Sequence, residues 1–269
     1  MQDHLDDDLR FAHVLADSAD AVNMDRFKGL DLTVRTRPDL DSVSDAENAV
    51  EKLIRGQLRR SRPRDAVLGA GEGLVGGGPR CWVVDAIAGL ENYVRGVPVW
   101  ATQISLLEVS AGGYRPVVGV VSAPALTRRW WAAKDHGAFT GRSLSSASRL
   151  RVSGVAKLPD ASFAYSSVTA WEKDGRLTGF LALCREVWRT RAYGDFWPYM
   201  MVAEGVIDVC ADPRLPPGGM AAGAVIVTEA GGTFTGLDGS AGPLSGSAAA
   251  SNGLLHNDLL GYLNEQTGM

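Results

Sequence analysis

Val83-Val84-Asp85-Ala86-Ile87-Ala88-Gly89-Leu90-Glu91-Asn92-Tyr93 is the stretch on which the fold turns. A β-rich run from Cys81 to Ile87 carries one carboxylate, Asp85, and breaks at Gly89. Downstream, Gln103 to Val109, Val117 to Ser122 and Trp130 to Lys134 are further β-rich or alternating runs separated by Gly and Pro, the spacing of a meander. Burial in a cleft raises the pKa of a carboxylate, so Asp85 suits a general acid or base; its blander role is to cap local backbone amides.

Upstream, apolar residues recur near a 3.6-residue period from Leu9 to Phe27, which predicts an amphipathic helix, and Leu30 to Arg37 alternates like a short strand. Ser44 is placed to cap a helix running to Leu58, with Glu47 three residues after it. Ala66-Val67-Leu68 reads as a strand, followed by a loop with six glycines between Gly69 and Gly78 that is expected to move unless a ligand orders it. The second half predicts strands at Ser162 to Tyr165, Val187 to Tyr193, Val206 to Ala211 and Gly232 to Thr235. Its helices are expected at Gly175 to Glu186, Asp195 to Glu204 and Met220 to Ala230. This alternation favours stacked helices and sheets over one doubly wound sheet. The serine-rich stretch Leu144 to Arg151 marks the boundary between an N-terminal α+β half, 1–145, and a C-terminal α/β half, 146–269, joined as one compact unit.

Length and composition bound the function. A chain of 269 residues with 45% hydrophobic and 22% charged residues has an ordinary globular composition and can bury a sizeable core. A net charge of -4 gives no general affinity for nucleic acid or anionic membranes. Cys81, Cys184 and Cys210 are few, odd in number and widely spaced, as expected of free thiols in a reducing compartment. The N-terminus lacks the basic-then-apolar order of a signal peptide, and no apolar run is long enough for a membrane span. A cytoplasmic protein without nucleic-acid or membrane partners is expected.

Segments spread in order along nearly the whole chain resemble the inositol monophosphatase family, and within it the actinobacterial histidinol-phosphate phosphatases. They include Arg37-Pro38-Asp39, Val43 to Glu47, Trp82 to Gly96, Pro98 to Ala101, Val118 to Trp131, Arg191 to Phe196, Val202 to Gly205, Glu229 to Gly232 and Ser251-Asn252-Gly253. The resemblance implies a layered αβαβα sandwich, commonly dimeric, with an active site between the halves. It also implies magnesium ions held by a glutamate in a G-E-E loop, the two aspartates of a D-P-I-D-G-T motif and an aspartate of a late W-D motif. Magnesium demands hard oxygen ligands, and such a cluster both activates water and neutralises the leaving oxygen.

Matched residue by residue, the loop glutamate falls on Ala70, the second motif aspartate on Ala88, the threonine on Leu90 and the late aspartate on Gly219. Asp85 remains, and Glu47 stands where the family usually has an aspartate near metal-bound water. Glu72, two residues from Ala70, reaches the vacant position only through a register shift. From this thinned ligand set the sequence predicts a degenerate metal site with no metal and no cofactor. The expectation is a protein that has lost magnesium-dependent phosphatase activity and binds, and transforms without metal, a small polar metabolite, as a cyclase, isomerase or lyase. The alternatives are a non-catalytic pseudophosphatase with a regulatory or scaffolding role, and residual histidinol-phosphate hydrolysis.

Asp85, Glu91 and Glu72 are the candidate catalytic residues. Glu47, Asn92, Arg191, Gly194, Asp195 and Trp197 are the candidate substrate-binding residues; Asp195 offers an anionic group suited to an amine, and Trp197 a wall beside it. Trp130, Trp131 and Trp188, in strand-like runs, are expected in the core. His4, His13 and His256 show no spaced partner, and Ser166, Ser167 and Ser251 lack the elbow context of a serine hydrolase. Pro213 to Gly219 replaces a helix start that in the family points its amides at phosphate. A homodimer is the expected assembly.

Overall fold

The computed structural model describes residues 2–29, 34–36, 42–69, 71–110, 113–216 and 218–264. Ala70, Arg37-Pro38-Asp39 and most of the strand expected from Leu30 lie outside the described residues. The chain runs α1 (Gln2–Arg26), β1 (Val34–Thr36), β2 (Ser42–Ser44), α2 (Asp45–Ser61), β3 (Ala66–Gly69), β4 (Gly73–Val75), β5 (Arg80–Ala88), α3 (Leu90–Val94), β6 (Ala101–Ser110), β7 (Gly113–Ala123), β8 (Arg128–Ala133), β9 (Gly137–Thr140) and β10 (Ser148–Arg149). It continues with β11 (Ser162–Ala164), α4 (Val168–Lys173), α5 (Leu177–Glu186), β12 (Arg189–Arg191), α6 (Trp197–Ala203), β13 (Val209–Asp212), α7 (Ala221–Glu229), β14 (Thr233–Thr235), β15 (Ala248–Ser251) and α8 (His256–Asn264).

Short Gly- and Pro-bounded turns between long apolar runs build an eight-stranded sheet, in the order β10-β9-β8-β7-β6-β5-β3-β4. It is antiparallel except where β3 lies parallel to β5. Side chains alternate across it as the pleat requires. Trp82, Val84, Ile104, Leu106, Val118, Val120 and Trp131 face α1 and α2, whereas Ala101, Val121, Trp130 and Ala132 face α6 and α7. A sheet buried on both faces reads as near-continuous apolar sequence, which is why these strands are legible.

A five-stranded sheet, β12-β11-β13-β15-β14, closes the other side of α6 and α7 and carries α5 and α8 on its outer face. The layers are therefore αβαβα, as expected. Ser44 caps α2 as its sequence position predicts, its Oγ accepting the Glu47 N–H at 3.0 Å. Beneath α7, Gly119 of β7 lets the helix come close: a Cβ there would stand 2.5 Å from Val225 Cγ1 and 2.7 Å from the Ala222 carbonyl oxygen.

Part of the glycine loop is paired: Gly73–Val75 folds back as β4 on β3, and the buried Glu51 carboxylate accepts the N–H groups of Gly71 and Glu72 at 2.7 and 3.2 Å. Two expectations need correction. Trp188 is 66% exposed, with the Arg189 guanidinium 4.9 Å over its ring, since it precedes the short edge strand β12. Asp195 lies outside the helix that follows it, with φ 53, so α6 begins only at Trp197.

Candidate active site

Asp85 sits near the end of β5, opposite Gln103 of β6, just before the ladder is interrupted between Asp85 and Ala88. Such irregularities re-aim side chains and terminate pairing. Gly89 then turns the chain with φ 90 into α3. A Cβ at Gly89 would lie 2.9 Å from the Val99 carbonyl oxygen and 3.1 Å from Asp195 Oδ2, so only glycine fits between them. This turn brings the first half of the chain against the Gly194-Asp195 corner of the second.

Burial pushes the Asp85 carboxyl up to about 7, helped by the nearby carboxylates of Glu47 and Asp195 and opposed by the Ile87 N–H and the Gln103 amide. Gln103 is itself buried; its Nε2 donates to the Gly219 carbonyl at 2.8 Å and stands 3.5 Å from Asp85 Oδ2. It thus ties Asp85 to the turn that precedes α7.

Asp195 is fixed from two sides. Its N–H donates to Ser166 Oγ at 3.1 Å, and its Oδ2 accepts from Asn92 Nδ2 at 3.0 Å. Burial and then the Glu91 carboxylate raise it to about 6. Asp212, at the end of β13, continues the chain: Oδ1 accepts the Ser166 N–H at 3.0 Å and Oδ2 accepts the Tyr199 O–H at 2.9 Å. It too is raised to about 6, chiefly by burial. Sequence reasoning missed Asp212, which stands one residue past the run Val206 to Ala211 read as a strand.

The remaining expected residues are placed as follows. Glu47 is buried at the start of α2, close enough to Asp85 to repel its charge. Glu91 is exposed on the first turn of α3, and Gly194 has φ 79 with open space beside it. Trp197 packs at 5.8 Å against Tyr193, and its buried indole Nε1 has no hydrogen-bond partner among the described residues. Arg191 is exposed and donates to the neighbouring Thr190 carbonyl. Glu72 is not gathered with these: its side chain is 63% exposed and its carboxylate pairs at 3.8 Å with Arg55. Away from this region, His256 bridges Ser251 and Thr235 at 3.1 and 2.9 Å in a buried, satisfied network that anchors α8.

The donor set can be tested against the magnesium cluster that the family resemblance implies. Among the described residues no three His, Cys, Asp or Glu side chains are gathered so as to hold a metal ion. Position 88 offers a methyl group and position 219 no side chain, while Ala70 lies outside the described residues.

The profile of the inositol monophosphatase family matches residues 4–267. The chain is 69% identical over 266 residues to the histidinol-phosphatase of Streptomyces coelicolor, spanning 99% of this chain and 100% of that one. It is 50% identical to the histidinol-phosphatase of Mycobacterium tuberculosis, over 96% of this chain and 98% of that one. Among solved structures, an IMPase of Thermotoga maritima superposes with a TM-score of 0.83 at 27% identity, covering 96% of this chain and 97% of that one.

Identity at this level to proteins named for a phosphatase activity overturns two expectations: the repurposed metal-independent enzyme and the non-catalytic pseudophosphatase. Neither the relatives nor the fold show a loss of activity, so missing ligand residues do not license the step to a degenerate, silent site. The chain belongs to the inositol monophosphatase family.

Proposed function

We propose that this chain is a phosphatase that hydrolyses a small phosphomonoester, histidinol phosphate, and releases the amino alcohol and inorganic phosphate. The observation that carries the reading is 69% identity to the Streptomyces coelicolor histidinol-phosphatase from end to end. In hydrolysis water adds at phosphorus, the P–O ester bond breaks and the departing alkoxide takes up a proton. Asp85, with its pKa raised to about 7, is suited to moving that proton near neutral pH. In this reading Asn92, Asp195 and Trp197 receive the alcohol part of the substrate.

The enzyme works in this reading as a cytoplasmic homodimer whose halves, 1–145 and 146–269, form one compact unit. Among the described residues no helix is long and apolar enough to cross a membrane.

The test is phosphate release from L-histidinol phosphate by the purified chain, with magnesium and with EDTA, beside the Streptomyces coelicolor relative as a positive control. Turnover that drops about 100-fold or more in Asp85→Asn is expected, the scale of a lost acid-base group. Absence of phosphate release under both conditions, with the control active, refutes the assignment.

A further inference from the structure

We propose that Glu51 and Arg55 of α2 are positioning residues for the reaction: they fix the turn that carries Gly69, Gly71, Glu72 and Gly73 beside Asp85, and turnover depends on that fixation. The inference rests on the phosphatase reading above and adds two residues that lie behind the site.

The sheet puts this turn next to the candidate acid-base group. β3 runs parallel to β5 with Leu68 opposite Val83 and Gly69 opposite Val84, so the chain leaves β3 one residue short of the level of Asp85. The turn before α7 closes the same corner. A Cβ on Gly218 would stand 2.8 Å from Val83 Cγ1 and 3.6 Å from Leu68 Cδ2, and Gln103 reaches from the Gly219 carbonyl to within 3.5 Å of Asp85 Oδ2. A shift of the first turn therefore changes the surroundings of Asp85. Misplacement by about 1 Å can cost about 100-fold in rate, which gives the turn a reason to be held from behind.

Helix α2 holds it with two side chains. Glu51 Oε2 accepts the Gly71 N–H at 2.7 Å, and Oε1 accepts the Glu72 N–H at 3.2 Å. Arg55 donates from Nε to Glu51 Oε1 at 2.8 Å, from Nη1 to the Val67 carbonyl at 3.2 Å and from Nη2 to the Gly73 carbonyl at 2.7 Å. The pair thus grips amides on one side of the turn and carbonyls on the other, and Arg55 ties β3 to the start of β4. Glu72 keeps its own carboxylate 3.8 Å from the same guanidinium.

Two observations set these residues apart from an ordinary helical ion pair. Glu51 and Arg55 are only 5% and 6% exposed, and a well-packed apolar pair would seat α2 on the sheet at no greater cost, so the charges serve the turn and not the helix. The turn is also shaped around the carboxylate. A Cβ at Gly69 would meet Glu51 Oε1 at 2.5 Å, and one at Gly71 would meet Glu51 Oε2 at 2.8 Å. Glycine at both positions is what admits the carboxylate between them.

The test reads turnover and turn mobility separately, on the full chain at a temperature where far-ultraviolet dichroism shows each variant folded. Arg55→Lys keeps the charge but cannot reach Glu51, Val67 and Gly73 together, and Glu51→Gln keeps the shape but loses one acceptor. Each should lower kcat for L-histidinol phosphate about tenfold or more with KM changed less than about threefold, and speed amide exchange at Gly71 and Glu72 about tenfold or more. Gly71→Ala should lower kcat by a similar factor in the parent yet by less than about twofold in Glu51→Ala, where the methyl group has room. Rate losses that multiply in that double variant overturn the proposal. Hydrolysis by the parent with kcat retained in both Arg55→Lys and Glu51→Gln keeps the phosphatase reading and removes the positioning role, since a merely structural pair lowers only the thermal midpoint. If the parent releases no phosphate from L-histidinol phosphate, the phosphatase reading falls and exchange decides: faster exchange in both variants upholds the fixed turn, and unchanged exchange removes it.

Discussion

Replacing Asp85 with Asn should make the folded protein more stable at alkaline pH and leave it unchanged at acid pH. The carboxyl titrates near 7 in the folded chain and near 3.8 when unfolded, chiefly because it is buried and because Glu47 and Asp195 lie close by. A raised carboxylate pKa favours folding least where the group is charged in both states. The burden is therefore absent below pH 3.8, grows between 3.8 and about 7, and is constant above. A gap of about 3 units at about 1.4 kcal/mol each sets an upper value of about 4 kcal/mol. Asn is nearly isosteric but forfeits part of the acceptance from the Ile87 N–H and Gln103, worth about 1 kcal/mol. The net expectation at pH 8 is a gain of about 2–3 kcal/mol, read as a higher urea midpoint with unchanged slope in EDTA. At pH 3.5 the two proteins should unfold together. An Asp85→Asn variant less stable than the parent at pH 8 would refute the reasoning, since it would mean that the charge is held by a partner and not merely tolerated.

Other consequences are equally measurable. Burial and then Arg129 hold His13 down to about 4, so its stabilising contribution is complete above pH 6.5 and fades as pH falls toward 4; at pH 5 the parent should have lost about 2 kcal/mol relative to a His13→Gln variant, measured against their difference at pH 7.5. Gly119→Ala should cost about 2–4 kcal/mol by pushing α7 off β7, seen as a lower thermal midpoint; an unchanged midpoint would show that the helix can yield. Glu51→Ala removes the acceptor of two loop amides and leaves Arg55 buried without its carboxylate, for a loss of about 3–5 kcal/mol and faster hydrogen exchange at Gly71 and Glu72. Asn92→Leu frees Asp195 Oδ2 and should lower kcat/KM for L-histidinol phosphate about tenfold or more while leaving the far-ultraviolet dichroism intact.

Much of the architecture was legible because its strands are buried on both faces and so advertise themselves as long apolar runs. The cap at Ser44 was legible because it is local. What escaped depends on partners distant in sequence. Asp212 meets Ser166 across 46 residues, and nothing in Cys-Ala-Asp announces it. Glu51 and Arg55 have the spacing of a solvated helical pair, yet both are buried as the clamp on the Gly71–Gly73 turn. Ala248–Ser251 has little intrinsic strand preference and becomes β15 only because β13 and β14 pair with its two edges. The function was misjudged for a different reason. Substitutions at Ala88, Leu90 and Gly219 are conspicuous in a motif, whereas identity spread over 266 residues is visible only against another chain.

The close seating of α7 on Gly119 has a mechanical outcome. The helix is shared: one flank rests on the eight-stranded sheet and the other on β14 and β15. Neither sheet can slide while a glycine-wide gap keys the helix in place, so the protein has no soft seam through its middle.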